Sequence, residues 1–91
     1  MEAEMVQEKV KGFPAFPQTG HILPNGNILI AMKPIPRHKG EEAGAIVLEK
    51  NPTNQEWVTH WMNRMDGTTV NGHYFINENF SDAVYDYLKR E

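Results

Sequence analysis

Cysteine is absent from this chain of 91 residues. That excludes a disulfide framework, an iron–sulfur cluster and a thiolate zinc site. Positive charge is also scarce: nine lysines and arginines stand against twelve acids, a net charge of -3. A dedicated nucleic-acid binder needs cations matched to phosphates, so no nucleic-acid partner is expected. No window approaches the roughly twenty apolar residues of a membrane-spanning helix, so no membrane partner is expected either. The opening MEAEMVQEKVKG carries acids and no apolar core, unlike a secretory leader. These absences together lead to the expectation of a soluble, cytoplasmic protein.

The motifs of common chemistries are missing too. There is no glycine-rich phosphate loop, no nucleophile elbow and no His-Glu-x-x-His. Ser81 is the only serine and falls in the first turn of a predicted helix. No two carboxylates are brought together by an inferable geometry. We therefore assign no catalytic residue, no metal ligand set and no cofactor from sequence, and favour a binding role over a catalytic one.

What is there is globular: 40% of residues are hydrophobic and 10% aromatic. One small domain of this length buries a modest fraction of its surface, and oligomerisation is a common supplement. The most distinctive stretch is residues 57–76, WVTHWMNRMDGTTVNGHYFI. Asp66-Gly67 is a strong signal for a two-residue hairpin turn, since both central residues of a type I′ turn need positive φ. With that turn, Met62 faces Asn71, Trp61 faces Gly72, His60 faces His73 and Trp57 faces Ile76. Alternation then puts Trp57, Thr59, Trp61, Val70, Tyr74 and Ile76 on one face, with Val58, His60, Met62, His73 and Phe75 on the other. A slip of one residue changes every pair. The competing connection is a longer loop through residues 64–69.

Ahead of the hairpin, residues 1–18 form an arm, and 19–91 are expected to be a single α+β domain. The start of the arm is either a short helix, with Val6 and Val10 one turn apart, or disordered. In GFPAFPQTG the two Phe-Pro steps exclude helix interior, so Phe13 and Phe16 are candidate docking groups, on this subunit or a neighbour. A second hairpin is predicted over 21–32, turning at Asn25-Gly26, with Pro24 making its first strand short or an edge. Residues 33–44, KPIPRHKGEEAG, read as a loop holding a basic triplet and an acidic pair. AIVLEK, residues 45–50, is a further strand. Asn79 is a candidate helix N-cap with Asp82 in capping-box position. Phe80, Ala83, Val84, Tyr87 and Leu88 then make one apolar stripe, and Lys89 and Arg90 suit the C-terminal end of the helix dipole.

The element order predicts an antiparallel sheet of about five strands with a C-terminal helix packed on one face, a two-layer α+β fold. Several strands are apolar on both faces. One helix covers one face, so the other needs the arm, a second subunit or a ligand. A homo-oligomer, most simply a dimer, is the expected arrangement.

Two side-chain sets stand out. His60 and His73, if paired, could act on a proton or hold a metal, but no third ligand is identifiable and such sites normally need three or four. Trp57, Trp61 and Tyr74, if on one face, are either the core beneath the helix or a platform for a ligand or partner. These five residues are the candidate binding set.

The tryptophan strand, then Gly72-His73-Tyr74-Phe75, then an Asp82-Ala83 helix ending in Arg90, resembles short uncharacterised bacterial proteins, some carried on mobile gene cassettes. The resemblance covers about a third of the chain. It implies no activity and transfers no site residue. Three roles follow from the residues: a homo-oligomeric binding module with a pocket near the 57–76 hairpin, binding a small molecule or protein; a small enzyme or metal-dependent protein using His60 and His73; or an accessory protein docking through Phe13 and Phe16.

Overall fold

Gly44–Lys50 (β2) is buried at every position but the last. A strand apolar on both sides belongs in the middle of a sheet covered on both faces. Its neighbours are Ile28–Ile35 (β1) and Trp57–Asn63 (β3), and Thr69–Phe75 (β4) pairs with the far side of β3. All pairs are antiparallel and the spatial order is β1-β2-β3-β4, a plain meander. The helix Phe80–Lys89 (α1) follows β4 and lies across one face. The computed structural model describes residues 17–35 and 43–90. Phe13, Phe16, most of the arm and the charged part of the 33–44 loop lie outside the described residues.

The α+β class and the antiparallel sheet match expectation, but the described residues hold four strands rather than five. The predicted first strand is reduced to one bridge, Ile22 to Ile28. The turn has three residues, Pro24, Asn25 and Gly26. It is closed by Leu23 N–H to Asn27 O at 2.9 Å and by Gly26 N–H to Leu23 O at 2.8 Å. Gly26 takes φ +90°, the left-handed conformation that ends such a loop. The Asn25 side chain accepts the Asn27 N–H at 2.8 Å, a local turn that Asn favours. Instead of extending the sheet, this segment folds over the face opposite the helix. There Leu23 is 2% exposed and packs with Leu29, Val47 and Met62. Part of the second face is thus covered by residues 17–27 of the same chain.

The 57–76 hairpin forms, with a different connection. Asn63 N–H bonds Thr68 O at 2.8 Å and Gly67 N–H bonds Asn63 O at 2.7 Å, enclosing residues 64–67. This is the longer loop, not the two-residue turn. Gly67 supplies the left-handed residue, φ +80°. Asp66 instead accepts from the Thr68 N–H at 2.9 Å and its hydroxyl at 2.8 Å, which hold its carboxyl below the usual range. A second irregularity follows. Pairing slips between Thr59 and Trp61, opposite Asn71, whose φ is +57°. The bulge places Thr59 against His73, Val58 against Tyr74 and Trp61 against Val70.

The expected His60–His73 pair is therefore wrong, because the loop and the bulge together shift the register. His60 shares a face with Val58 and Met62, while His73 shares the helix face with Thr59. Tyr74 is likewise on the face away from Trp57 and Trp61. The glycine that makes room for the Trp61 indole is Gly44, not Gly72: a Cβ on Gly44 would overlap the indole ring. Gly44→Ala is expected to cost about 1–3 kcal/mol by overpacking, read from urea denaturation; a neutral result would show that Trp61 moves aside freely.

The helix forms where predicted but is rolled by roughly a quarter turn from its apolar stripe. Ala83 is fully buried, and Asp86 and Arg90 bond the Thr59 region, so 83, 86, 87 and 90 face the sheet. Phe80 stays 42% exposed and Leu88 64%. Polar bonds fixed the roll against the apolar pattern. Leu88→Ala is accordingly expected to change stability by less than about 0.5 kcal/mol in the monomer, the range of surface substitutions, rather than by the several kcal/mol of a core position. The N-terminus also departs from expectation. Asn79 makes no side-chain cap bond, because a 3-10 turn, Asn77–Asn79, leads directly into the helix. The last carbonyls are capped by Lys33 of β1, whose Nζ reaches Tyr87 O at 3.0 Å and Leu88 O at 2.9 Å.

Candidate functional site

Glu49 is the least expected residue of the fold. It lies in the central strand β2 and is 0% exposed. Burying a carboxylate is costly unless its oxygens are bonded, and both are. Oε1 accepts from Asn25 Nδ2 at 2.9 Å and from Asn27 Nδ2 at 2.8 Å. Oε2 lies 2.6 Å from His60 Nδ1. The distance is that of a charge-assisted bond. Glu49 and His60 reach one another because strand register sets Glu49 opposite Val58 and Val47 opposite His60, so the two side chains are diagonal neighbours on one face. Asn25 also donates to Thr69 Oγ1 at 3.1 Å. The 17–27 segment is thus pinned to the sheet by amides as well as by Leu23.

On the other side of the imidazole are Gly72 and Tyr74. The His60 and Tyr74 rings meet edge to face at 5.9 Å. Tyr74 is 61% exposed, whereas the His60 side chain is 9% exposed.

On the helix face a second polar cluster joins α1 to the sheet. Asp86 Oδ2 accepts from Thr59 Oγ1 at 2.5 Å and lies 2.9 Å from His73 Nδ1. Arg90 donates to Thr59 O at 3.1 Å and to Thr59 Oγ1 at 3.0 Å. Burial of Asp86 works to raise its pKa, but the bonds from Thr59 and His73 and the charges of His73 and Arg90 outweigh it, so the net shift is downward. A carboxyl with a lowered folded pKa stabilises the fold above its unfolded value, near 4, and the contribution fades as pH falls through the folded value. Asp86→Asn should therefore lose stability at neutral pH and converge on the unsubstituted protein in acid, as measured by urea midpoints against pH. Parallel curves at all pH would mean the carboxylate charge contributes nothing.

Trp57 belongs to this face as well. Its ring packs on Phe80 at 4.4 Å, Lys50 Nζ sits 3.9 Å from its centroid, and its Nε1 donates to Asn77 O at 3.0 Å. These partners account for Trp57 as a clamp on the start of the helix. Trp61 is half-buried on Gly44.

The five sequence-predicted residues are thus divided. Trp57, Trp61 and His73 lie on the helix face; His60 and Tyr74 lie together on the other. An acid–base or metal site shared by His60 and His73 loses its geometry, and among the described residues no three His, Asp or Glu side chains are grouped to hold a metal. Sequence reasoning missed Glu49, Asn25 and Asn27. The available signal was a lone acid inside AIVLEK, at the position where alternation points it to the same face as Val47. No helix among the described residues is long and apolar enough to cross a membrane. Neither a protein-family model, nor a curated protein, nor a solved structure matches the chain.

Proposed function

We propose that the protein is a small interaction module that works by binding, and that it pairs with a second copy of itself through the outer side of α1. The carrying observation is the roll of that helix. It leaves Leu88 64% and Phe80 42% exposed, with the half-buried Val84 between them, the three spaced four apart. Ile76, the extended residue before the turn that leads into the helix, is 55% exposed and Tyr85 is 66% exposed. Rows of side chains four residues apart are the ridges that interdigitate when two helices cross. A two-fold pairing is self-complementary, so Phe80 of one copy meets Leu88 of the other about a central Val84. The area also bounds the affinity. A ten-residue helix is about 15 Å long, which gives an interface toward the lower end of the range, under roughly 1,200 Å². Such an interface supports weak, reversible association.

Sedimentation equilibrium tests the reading. The average mass should climb from 10.4 kDa toward twice that value as concentration rises through the micromolar range. Leu88→Asp should hold the protein at one chain mass without unfolding it, because the position is exposed. A single chain mass at every concentration would remove the proposal.

A further inference from the structure

Three steps in the chain set a glycine after an Asn or Asp: Asn25-Gly26, Asp66-Gly67 and Asn71-Gly72. At such a step the glycine nitrogen can attack the side-chain carbonyl carbon, because the second residue has no Cβ to block the approach. We propose that in the folded protein Asn71 alone is open to this reaction, and that it is a site of spontaneous modification to aspartate and isoaspartate. The chemistry needs only water. A bond forms between the Gly72 nitrogen and Asn71 Cγ, the side-chain amino group leaves as ammonia with the Gly72 amide proton, and a five-membered imide remains. Water then opens the ring. Cleavage of the new bond gives aspartate, and cleavage of the original peptide bond gives isoaspartate.

The other two steps are locked. Asn25 Nδ2 donates to Glu49 Oε1 and to Thr69 Oγ1, its Oδ1 accepts the Asn27 N–H, and the Gly26 N–H is held by Leu23 O at 2.8 Å. The Thr68 N–H and hydroxyl hold the Asp66 carboxyl in its ionised form, a poor target for a nucleophile, and the Gly67 N–H is held by Asn63 O at 2.7 Å. Asn71 is exposed, and its side chain makes no hydrogen bond among the described residues. It stands at the bulge, φ +57°, where the ladder is interrupted, and β4 is an edge strand of the described sheet. Bringing Cγ over the next nitrogen breaks three side-chain hydrogen bonds at Asn25 and none at Asn71.

Isoaspartate carries a consequence that aspartate lacks. It routes the main chain through the former side chain and adds one carbon ahead of Gly72. The space beside Gly72 is already filled: a Cβ there would lie 2.6 Å from the Tyr74 oxygen and 2.7 Å from His60 Nε2. The lengthened chain therefore presses on those two rings, and His60 is the partner of the buried Glu49.

The test keeps the full chain in mildly alkaline buffer, folded and in urea, and follows each step by peptide mapping with mass spectrometry, since conversion of amide to acid adds one mass unit. In the folded protein the Asn71 peptide should gain mass roughly tenfold or more faster than the Asn25 peptide, the factor set by opening two or more hydrogen bonds before reaction. In urea the two rates should converge. Asn71→Gln, whose longer side chain closes a ring less readily, should end the gain at that peptide. Folded protein carrying isoaspartate at this position, isolated by ion exchange, should show a lower urea midpoint and displaced ¹⁵N amide resonances at Gly72, Tyr74 and His60. Asn71→Asp, with its main chain unaltered, should resemble the unmodified protein. The proposal is overturned by equal or faster reaction at Asn25 in the folded protein, or by reaction at Asn71 that occurs only in urea. An unchanged midpoint and spectrum for the isoaspartate form would sever the coupling to His60.

Discussion

Replacing His60 with alanine is expected to destabilise the fold by about 3–5 kcal/mol, the cost of breaking a buried charge-bearing pair from one side. The reason lies in Glu49. Its carboxyl is 0% exposed, and removing the imidazole leaves Oε2 without its partner while Oε1 remains bonded to two amides. The group cannot turn toward water without releasing Asn25 and Asn27, and with them the segment that covers the face. Natural domains are stable by only about 5–15 kcal/mol, so this one substitution removes a large fraction of the total. Glu49→Gln is the informative companion. It keeps the shape and an oxygen for the two asparagines, and should cost less, about 1–3 kcal/mol. Urea denaturation of both variants measures the difference. A loss below about 1 kcal/mol for His60→Ala would mean that solvent reaches the carboxylate and that the pair is not buried in effect.

That prediction could not have been made from the sequence. Local signals there were strong: the apolar AIVLEK run gave a strand, residues 57–76 gave a hairpin, and the 3.6-residue period gave the helix. Turn positions were also legible, since Asn25-Gly26 and Asp66-Gly67 both lie in turns. Turn lengths were not. In each loop the glycine takes positive φ as expected, but one or two additional residues enter the loop. Side-chain acceptors helped decide this: Asn63 Oδ1 receives the Met65 N–H at 2.8 Å and Asp66 Oδ1 receives the Thr68 N–H at 2.9 Å. A further residue is absorbed by the bulge at Asn71, which no local pattern announces. With side chains alternating every residue, those small errors moved His73 and Tyr74 each to the opposite side from that assigned relative to their partners.

The helix shows a second limit. Its apolar stripe was real, but Asp86, Thr59, His73 and Arg90 made bonds strong enough to roll it, exchanging burial of Leu88 for a polar latch. Apolar periodicity predicts that a helix exists more securely than which side it buries, because long-range polar contacts are invisible to it. The candidate site suffered most from this. Glu49 and His60 are eleven residues apart and Asn25 and Asn27 more than twenty from Glu49, so only the folded sheet brings them together.

The same segment that pins Glu49 carries the second large effect. Leu23→Ala is expected to cost about 2–5 kcal/mol, as for a leucine deleted from a core. Leu23 is 2% exposed and packs with Leu29, Val47 and Met62 on the face that the helix does not reach. The same segment is held by one bridge at Ile22, by bonds from Gly20 N–H to Leu29 O, from Leu29 N–H to His21 O and from Thr19 Oγ1 to Ile30 O, and by the amide of Asn25 on Thr69 and those of Asn25 and Asn27 on Glu49. Weakening the leucine anchor therefore weakens the amide bonds, and the double substitution Leu23→Ala with Asn27→Ala should cost less than the sum of the two, since both release one unit. Opening should also be local before it is global. Amide exchange at Gly20 and Leu29 should quicken in Leu23→Ala well before exchange in β2 and β3, where the sheet bonds are shielded from both sides. If those amides instead slow or speed in step with the centre of the sheet, the 17–27 segment is part of the cooperative core rather than a cover laid over it.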